Sequence, residues 1–312
     1  MPDLAERCVD AINELTGRHP GHRAAHARGI LCAGTFTPAP DASALTTAAH
    51  LQGEPVRVTV RFSNGSGDPT RPDNDRREGR GMATKFYLAD GSTTDIVALS
   101  LPCFFVRTPE DFIDFALARK PDPGTGNPDM EKVGAFLGEH PETGAALQYI
   151  LPALIPPRSY ATCVYNSIHS FRLTPGDGDG RWVRYRWVPE AGVENLPEEE
   201  IEGASAEYLQ EDIRERLDDG VRFRLVARVA AEGDAVDDPT VPWPDGEREE
   251  LELGELELTG LDTTRETGDD VLVFDPTRVT SGIEPSDDPI LHIRSYAYSV
   301  SVERRSGVPR PA

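Results

Sequence analysis

Residues 56–63 read Val-Arg-Val-Thr-Val-Arg-Phe-Ser, an unbroken alternation that puts Val56, Val58, Val60 and Phe62 on one face and Arg57, Thr59, Arg61 and Ser63 on the other. A period of two fits a strand with one face against an apolar core; on a helix the same residues would scatter around the axis. Strand-like stretches recur at 82–89, 94–99, 161–173, 181–188, 221–231 and 251–260. A chain with this many strands must dispose of its sheet edges, and closing the sheet into a barrel removes them. With 28 glycines and 27 prolines the chain has the turn residues such a sheet needs.

Helical patterns interrupt the strands. Residues 3–17 are amphipathic, with Leu4, Cys8, Ile12 and Leu15 on one face, and Asp3 and Glu6 spaced as a capping box; His19-Pro20-Gly21 ends the pattern. Thr108-Pro109-Glu110-Asp111 is a helix start, and Asn127-Pro128 predicts another running to about Gly138. Residues 205–219 carry Leu209, Ile213 and Leu217 and stop at Gly220, and Asp288-Pro289 opens a last helix. Asn64–Gly81 reads as a polar loop rich in glycine and arginine. Without a linker or repeat, the expectation is an α+β fold, a closed antiparallel β-barrel with added helices. It forms one domain over residues 1–312, with an N-terminal helix within 1–19 and a tail at 306–312.

Charge removes several function classes. Against 54 acidic residues stand 32 basic ones, a formal charge of −22, and only Lys85, Lys120 and Lys132 are lysines. Nucleic acid and anionic membrane surfaces need clustered basic residues, so neither is an expected partner. The longest apolar run, around Ile96–Val106, is too short for a membrane span. The N-terminal segment has acids where a secretion signal needs bases. Cys8, Cys32, Cys103 and Cys163 lie far apart without a CxxC pair, as expected for reduced thiols in a cytoplasmic protein and not for a zinc site.

Three separated segments carry chemistry: Arg23-Ala24-Ala25-His26-Ala27-Arg28-Gly29, Val60-Arg61-Phe62-Ser63, and Arg294-Ser295-Tyr296-Ala297-Tyr298 followed by Arg305. The strings HARGILCAGTF, VRVTVRFSNGSG, GRGMATKFYLADG, LPCFFVRTPEDF, NSIHSFRL, FDPTRVTSGIEPSDDPIL and RSYAY occur in that order. From about Pro20 to Arg305 the chain resembles the haem catalase superfamily, in particular its short members, the catalase-related peroxidases. The resemblance implies haem b, with Tyr298 as its axial iron ligand and Arg23, Arg61 and Arg305 on the propionates. His26 matches the distal histidine, which takes a proton from peroxide and returns it to the leaving oxygen; Ser63 matches the serine that holds its ring.

Elementary chemistry suits these assignments. Imidazole titrates near neutrality, guanidinium forks onto carboxylates, and a phenol ionises at neutral pH only under strong positive bias, which Fe³⁺ and Arg294 together supply. Tyr296, Tyr298, Val300 and Val302 also alternate as a strand would. Asp288-Pro289 and the resemblance favour a helix, and the R-x-x-x-Y spacing then selects Tyr298 over Tyr296. On a helix, the seven residues from Tyr298 to Arg305 span two turns and keep both on one face. Phe105 matches a distal aromatic, while Phe36, Phe62 and Phe104 are read as core. His19, His22, His50, His140, His169 and His292 are read as ordinary structural histidines, with no chemistry assigned to His169.

One departure stands out. Ser100 occupies the place of the distal asparagine of efficient members, which puts fast disproportionation in doubt. A chain of this length is expected to lack the long arm and flavodoxin-like domain of larger members, and the resemblance then implies an exposed haem edge and a wider route for organic donors. The expected function is reduction of H2O2 or small organic hydroperoxides by small organic reductants, with weak catalase activity. Homodimer formation is an open expectation. The alternatives are conversion of a fatty-acid hydroperoxide, as in allene oxide synthases, a non-catalytic haem-binding or sensing protein, and a ligand barrel without haem.

Overall fold

The computed structural model describes residues 2–262, 265 and 271–308. Ten strands form one antiparallel sheet: β1 (Gly29–Pro38), β2 (Val56–Asn64), β3 (Arg80–Tyr87), β4 (Thr93–Leu99), β5 (Tyr165–Asn166), β6 (Phe171–Leu173), β7 (Arg181–Pro189), β8 (Val221–Val229), β9 (Glu250–Leu261) and β10 (Ile283–Pro285). The order β7-β5-β4-β3-β2-β1-β9-β8 closes on itself because β8 also pairs with β7; β6 and β10 extend the sheet beside β7. The expected closed barrel is therefore present, with eight strands in the ring.

The barrel is filled by the inward residues of the alternating strands. Val58, Val60, Phe62, Met82, Phe86, Trp187, Phe223 and Leu256 belong to one buried cluster. Phe36 and Phe62 lie in it as expected. On β2 the outward residues Thr59, Arg61 and Ser63 are buried as well. Outward Leu31 packs against Leu272 and Phe274, so the segment from 271 onward covers this side of the barrel.

Seven helices surround the barrel among the described residues: α1 (Pro2–Thr16), α2 (Pro109–Ala118), α3 (Met130–Glu139), α4 (Pro141–Ile150), α5 (Glu198–Ile201), α6 (Tyr208–Arg216) and α7 (Pro289–Arg305). Ala5, Cys8 and Ala11 of α1 pack with Ile113 and Ala116 of α2 and with Ile293 of α7. None of the described helices is long and apolar enough to cross a membrane. On the outer face of β8 and β9, Arg222, Arg224 and Arg228 pair with Glu257, Glu252 and Glu250, an ion-pair ladder across exposed neighbouring strands.

Several expectations need correction. Asp3 lies within the first turn of α1 and does not precede it as a cap. The start of α3 is capped by Asp129, which accepts the Glu131 amide at 3.0 Å. Asn127 instead closes a turn in which its carbonyl accepts the Asp122 amide. The tract 161–173 is broken into a 3₁₀ turn and the short strands β5 and β6. At the break the Ser167 hydroxyl accepts the Tyr185 amide at 2.7 Å, a side chain standing in for a backbone partner. Strand β1 and helix α4 were not anticipated. β1 pairs with β9 through a bulge at Ala33/Gly34, and a Cβ at Gly34 would meet the Glu257 carbonyl at 2.1 Å. Residues 296–302, which alternate like a strand, lie in helix α7. Part of the tail, 309–312, falls outside the described residues.

Candidate active site

The first group of candidate residues gathers on the outer face of β1, β2 and β3. In register, Ser63 stands between Gly29 and Gly81. His26 Nδ1 lies 3.0 Å from Ser63 Oγ. A Cβ at Gly81 would approach Ser63 Oγ at 2.8 Å and His26 Nδ1 at 3.0 Å; one at Gly29 would meet Arg61 Cζ at 2.7 Å. The two glycines thus clear the space that the imidazole and the guanidinium occupy. His26 has φ 55°, the one left-handed non-glycine among the described residues. Its amide donates to the Gly65 carbonyl at 3.1 Å and the Ala27 amide to Ser66, so the next loop holds this conformation.

Burial pushes the His26 pKa down to about 3, assisted by the positive charges of Arg61, Arg294 and Arg23 and opposed by a bond to the Asn64 backbone. The ring is therefore neutral at physiological pH, with a nitrogen free to accept a proton. Arg294 belongs to the far helix α7, so its action on His26 brings the two halves of the site within electrostatic reach.

The arginines converge from three elements. Arg23 Nη2 donates to the Leu272 carbonyl at 2.9 Å, and Arg305 Nη2 approaches the same oxygen at 3.5 Å. Ser301 links them again, accepting the Ala24 amide and lying 3.3 Å from Arg305 Nη1. Arg61 and Arg305 are buried. With Arg23 at the same carbonyl as Arg305, they make this side of the site cationic and rich in donors.

The second group is strung along α7. Arg294 Nε donates to Tyr298 Oη at 2.8 Å, one helical turn away. Arg294 Nη1 lies 2.8 Å from His169 Nε2, and His169 Nδ1 lies 2.6 Å from Asp288 Oδ2. Guanidinium only donates, so Nε2 accepts and Nδ1 carries the proton toward Asp288, fixing one tautomer. Burial lowers the His169 pKa to about 4 against the pull of Asp288, in keeping with a neutral ring. Asp288 also accepts the amides of Ile290 and Leu291 at 2.8 and 3.3 Å, capping α7. The helix N-terminus, the carboxylate, the imidazole and the guanidinium are joined bond by bond to the phenol oxygen.

A family model described as Catalase matches residues 7–310. The chain belongs to the catalase family. It is 43% identical over 308 residues to a catalase-related peroxidase of Mycolicibacterium paratuberculosis, spanning 98% of this chain and 96% of that one. A catalase-related peroxidase of Synechococcus elongatus is 32% identical over 302 residues, spanning 96% and 88%. Among solved structures, catalase A from Saccharomyces cerevisiae matches with a TM-score of 0.81 and 26% identity, over 92% of this chain and 62% of that one.

Membership of the catalase family implies haem, and the residues fit it. Arg23, Arg61 and Arg305 supply the cationic, donor-rich environment two propionates require. Tyr298 offers an oxygen donor already bonded by a guanidinium. The three arginines and the pair Arg294 and Tyr298 are the residues that would hold the group.

Ser100 and Phe105, the other expected site residues, and the rejected Tyr296 have surroundings of their own. Ser100 Oγ accepts the Arg80 amide at 2.9 Å and the Ser100 amide donates back to Arg80, extending the ladder between β3 and β4. Its hydroxyl is engaged at the strand end, next to Gly81. Phe105 packs in an aromatic group with Phe104, Phe112 and Phe115 at centroid distances of 4.2, 5.9 and 5.3 Å. Tyr296 is exposed. His169, read as a structural histidine, is buried and bonded on both ring nitrogens, and it connects Asp288 to Arg294, the partner of Tyr298. Asp288, expected only as a helix start, holds the far end of that relay. Neither role has a local pattern, because the partners are 119 and 125 residues apart. A further titratable group, Asp111, His140 and Glu142, is half-buried. His140 lies 3.9 and 3.3 Å from the two carboxylates there and stands just before α4.

Proposed function

We propose that this catalase-family chain is a haem peroxidase. It reduces H2O2 or small organic hydroperoxides at the expense of small organic donors, with weak catalase activity, and works as a single domain. The observation that carries the reading is the pairing of two unlike acid–base groups within one cluster of arginines: His26 on Ser63, and Tyr298 on the relay from Asp288. The names of the relatives at 43% and 32% identity support it.

In this reading Tyr298 would supply the oxygen donor to the iron of haem b, and Arg23, Arg61 and Arg305 would hold its propionates. When bound, haem supplies a ferric centre that activates peroxide and draws single electrons from donors. The chain's own work is proton handling and positioning. His26, neutral and fixed by Ser63, takes a proton from the entering peroxide and returns it to the departing oxygen. Arg294 holds a proton donor on the Tyr298 oxygen and stabilises the phenolate; the neutral His169 keeps Arg294 aimed. Ser100, tied to Arg80, gives the site a shorter polar group than an amide, which disfavours the two-peroxide cycle relative to donor oxidation. Phe105 lines the distal side.

The test is reconstitution with hemin. A Soret band with ferric-phenolate features is expected, retained in Tyr296→Phe and lost in Tyr298→Phe. Dye oxidation should exceed oxygen evolution. A colourless product, or oxygen evolution at the rate of a large catalase with negligible dye oxidation, would overturn the proposal. Formation of an epoxide from a fatty-acid hydroperoxide would redirect it to that substrate class.

A further inference from the structure

The group on α7, the proximal half of the site, hangs on one fully buried carboxylate at the helix N-terminus, Asp288; the group around His26 is the distal half. The distal half contains a second such carboxylate to which no role has been given. Asp73 is fully buried in the loop between β2 and β3. Its Oδ2 accepts the amide of Leu209, the second residue of α6, at 3.0 Å, and its own amide donates to Ala206. The carboxylate is thereby seated on a helix N-terminus, as Asp288 is on α7.

From that seat Asp73 reaches three residues. Its Oδ1 accepts from Asn64 Nδ2 at 2.7 Å. The same oxygen pairs with Arg28 Nε at 3.2 Å. Its backbone carbonyl accepts from Arg80 Nη2 at 2.6 Å. Each of the three neighbours a member of the distal group along the chain. Asn64 follows Ser63, Arg80 precedes Gly81, and Arg28 lies two residues beyond His26. The Asn64 backbone also bonds the His26 ring, and Tyr160 fixes the other end of the Asn64 amide with a 2.9 Å bond to its Oδ1. Three separate chain segments thus take their distal residues from one anchor.

We propose that Asp73 is the positioning residue of the distal half, holding His26, Ser63 and Gly81 in register through Arg28, Asn64 and Arg80. The proposal rests on the peroxidase reading of the site. Asp73→Asn is the discriminating change because it keeps the shape and reverses one pole. The Leu209 amide, the Asn64 amide and the Arg28 guanidinium are all donors, so either orientation of the new amide sets a donor against a donor. The effect should appear at His26 and leave Tyr298 alone.

The experiment uses the hemin-loaded protein with hydrogen cyanide as probe, since its uptake requires a distal base to accept the proton. In Asp73→Asn the association rate should fall roughly ten-fold, with the phenolate features unchanged. In the haem-free protein the ¹⁵N titration of the His26 ring should move. Leu209→Ala is the control: it loosens the packing of α6 and keeps the carboxylate, so it should lower the melting temperature and leave cyanide uptake as it was. Should Asp73→Asn fail to fold, Tyr160→Phe removes a single hydroxyl from the same network and should slow uptake roughly three-fold.

Uptake within about two-fold of the parent in the foldable variant would overturn the proposal. So would an equal loss in Leu209→Ala, or loss of the phenolate features together with the rate. His26→Ala separates the two readings. If it too leaves cyanide uptake unchanged, the assignment of the site fails; if it slows uptake and the Asp73 change does not, only the role of Asp73 fails.

Discussion

The two halves of the site are built in opposite ways. The proximal half lies along one helix: Arg294, Tyr298 and Arg305 repeat at helical spacing on α7, and a relay from Asp288 through His169 supports the first of them. The distal half is assembled from a loop, two strands and two glycines, with His26 held left-handed by bonds from the following loop. A helix aims several side chains at once through its period. A loop-and-strand site must aim each one separately, through close contacts and backbone conformation.

Several measurements would break or sharpen that contrast. The largest effect is expected in the proximal half. Asp288→Asn removes the charged acceptor of a buried chain and weakens the α7 cap, so unfolding by denaturant should show a loss of about 3–5 kcal/mol. Equal stability of variant and parent would mean that the relay supports nothing. Next is Gly81→Ala, whose added methyl must displace Ser63 or the His26 ring. Peroxide reduction in the loaded protein should drop about a hundred-fold, the scale of a displaced acid–base group, with the Soret band retained. Retained activity would show that the close contacts do not aim the ring.

Acid should act on both halves. His169 is buried, and its pKa falls from the ordinary 6.5 to about 4. The unfolded chain therefore binds the proton that the folded one refuses. Stability contributed by the neutral ring is complete above about pH 6.5 and is lost as pH falls toward 4, with a slope near 1.4 kcal/mol per pH unit. In the haem-free protein His169→Gln should remove that slope. His26→Ala should remove one that runs further into acid, because the His26 pKa falls to about 3. The smallest effect isolates backbone strain. His26→Gly and His26→Ala both lose the ring, but only glycine accepts φ 55° without penalty, so the glycine variant should be more stable by about 1 kcal/mol in thermal unfolding.

The same contrast explains what could be read from the amino-acid order. The alternation of β2, the Thr108 cap of α2 and the spacing from Arg294 to Arg305 are local patterns, and the structure follows each of them. The family resemblance named His26, Ser63 and Tyr298, and the geometry brings His26 to Ser63 and Arg294 to Tyr298. What stayed hidden depends on distant partners. His169 lies where a strand pattern breaks, and its meaning comes from Asp288 and Arg294 on another element. Gly81 matters through an absent atom, and Asp73 through three residues on three segments. β1 escaped notice because residues 30–32 are apolar on both faces and a glycine is forced by the approach of β9.

Helix α7 carries a mechanical implication. Its cap is pinned by Asp288, its next turn by the imidazole of His169, and its last turn by Arg305 near the Leu272 carbonyl. A rod fixed at both ends behaves as a keyed shaft: if Tyr298 and Arg305 hold the prosthetic group as proposed, any rotation would disengage both grips together. Release of the prosthetic group and collapse of its colour should thus be one cooperative event on heating, and mutations chosen to tune redox behaviour on this rod will also alter how firmly the pigment is retained.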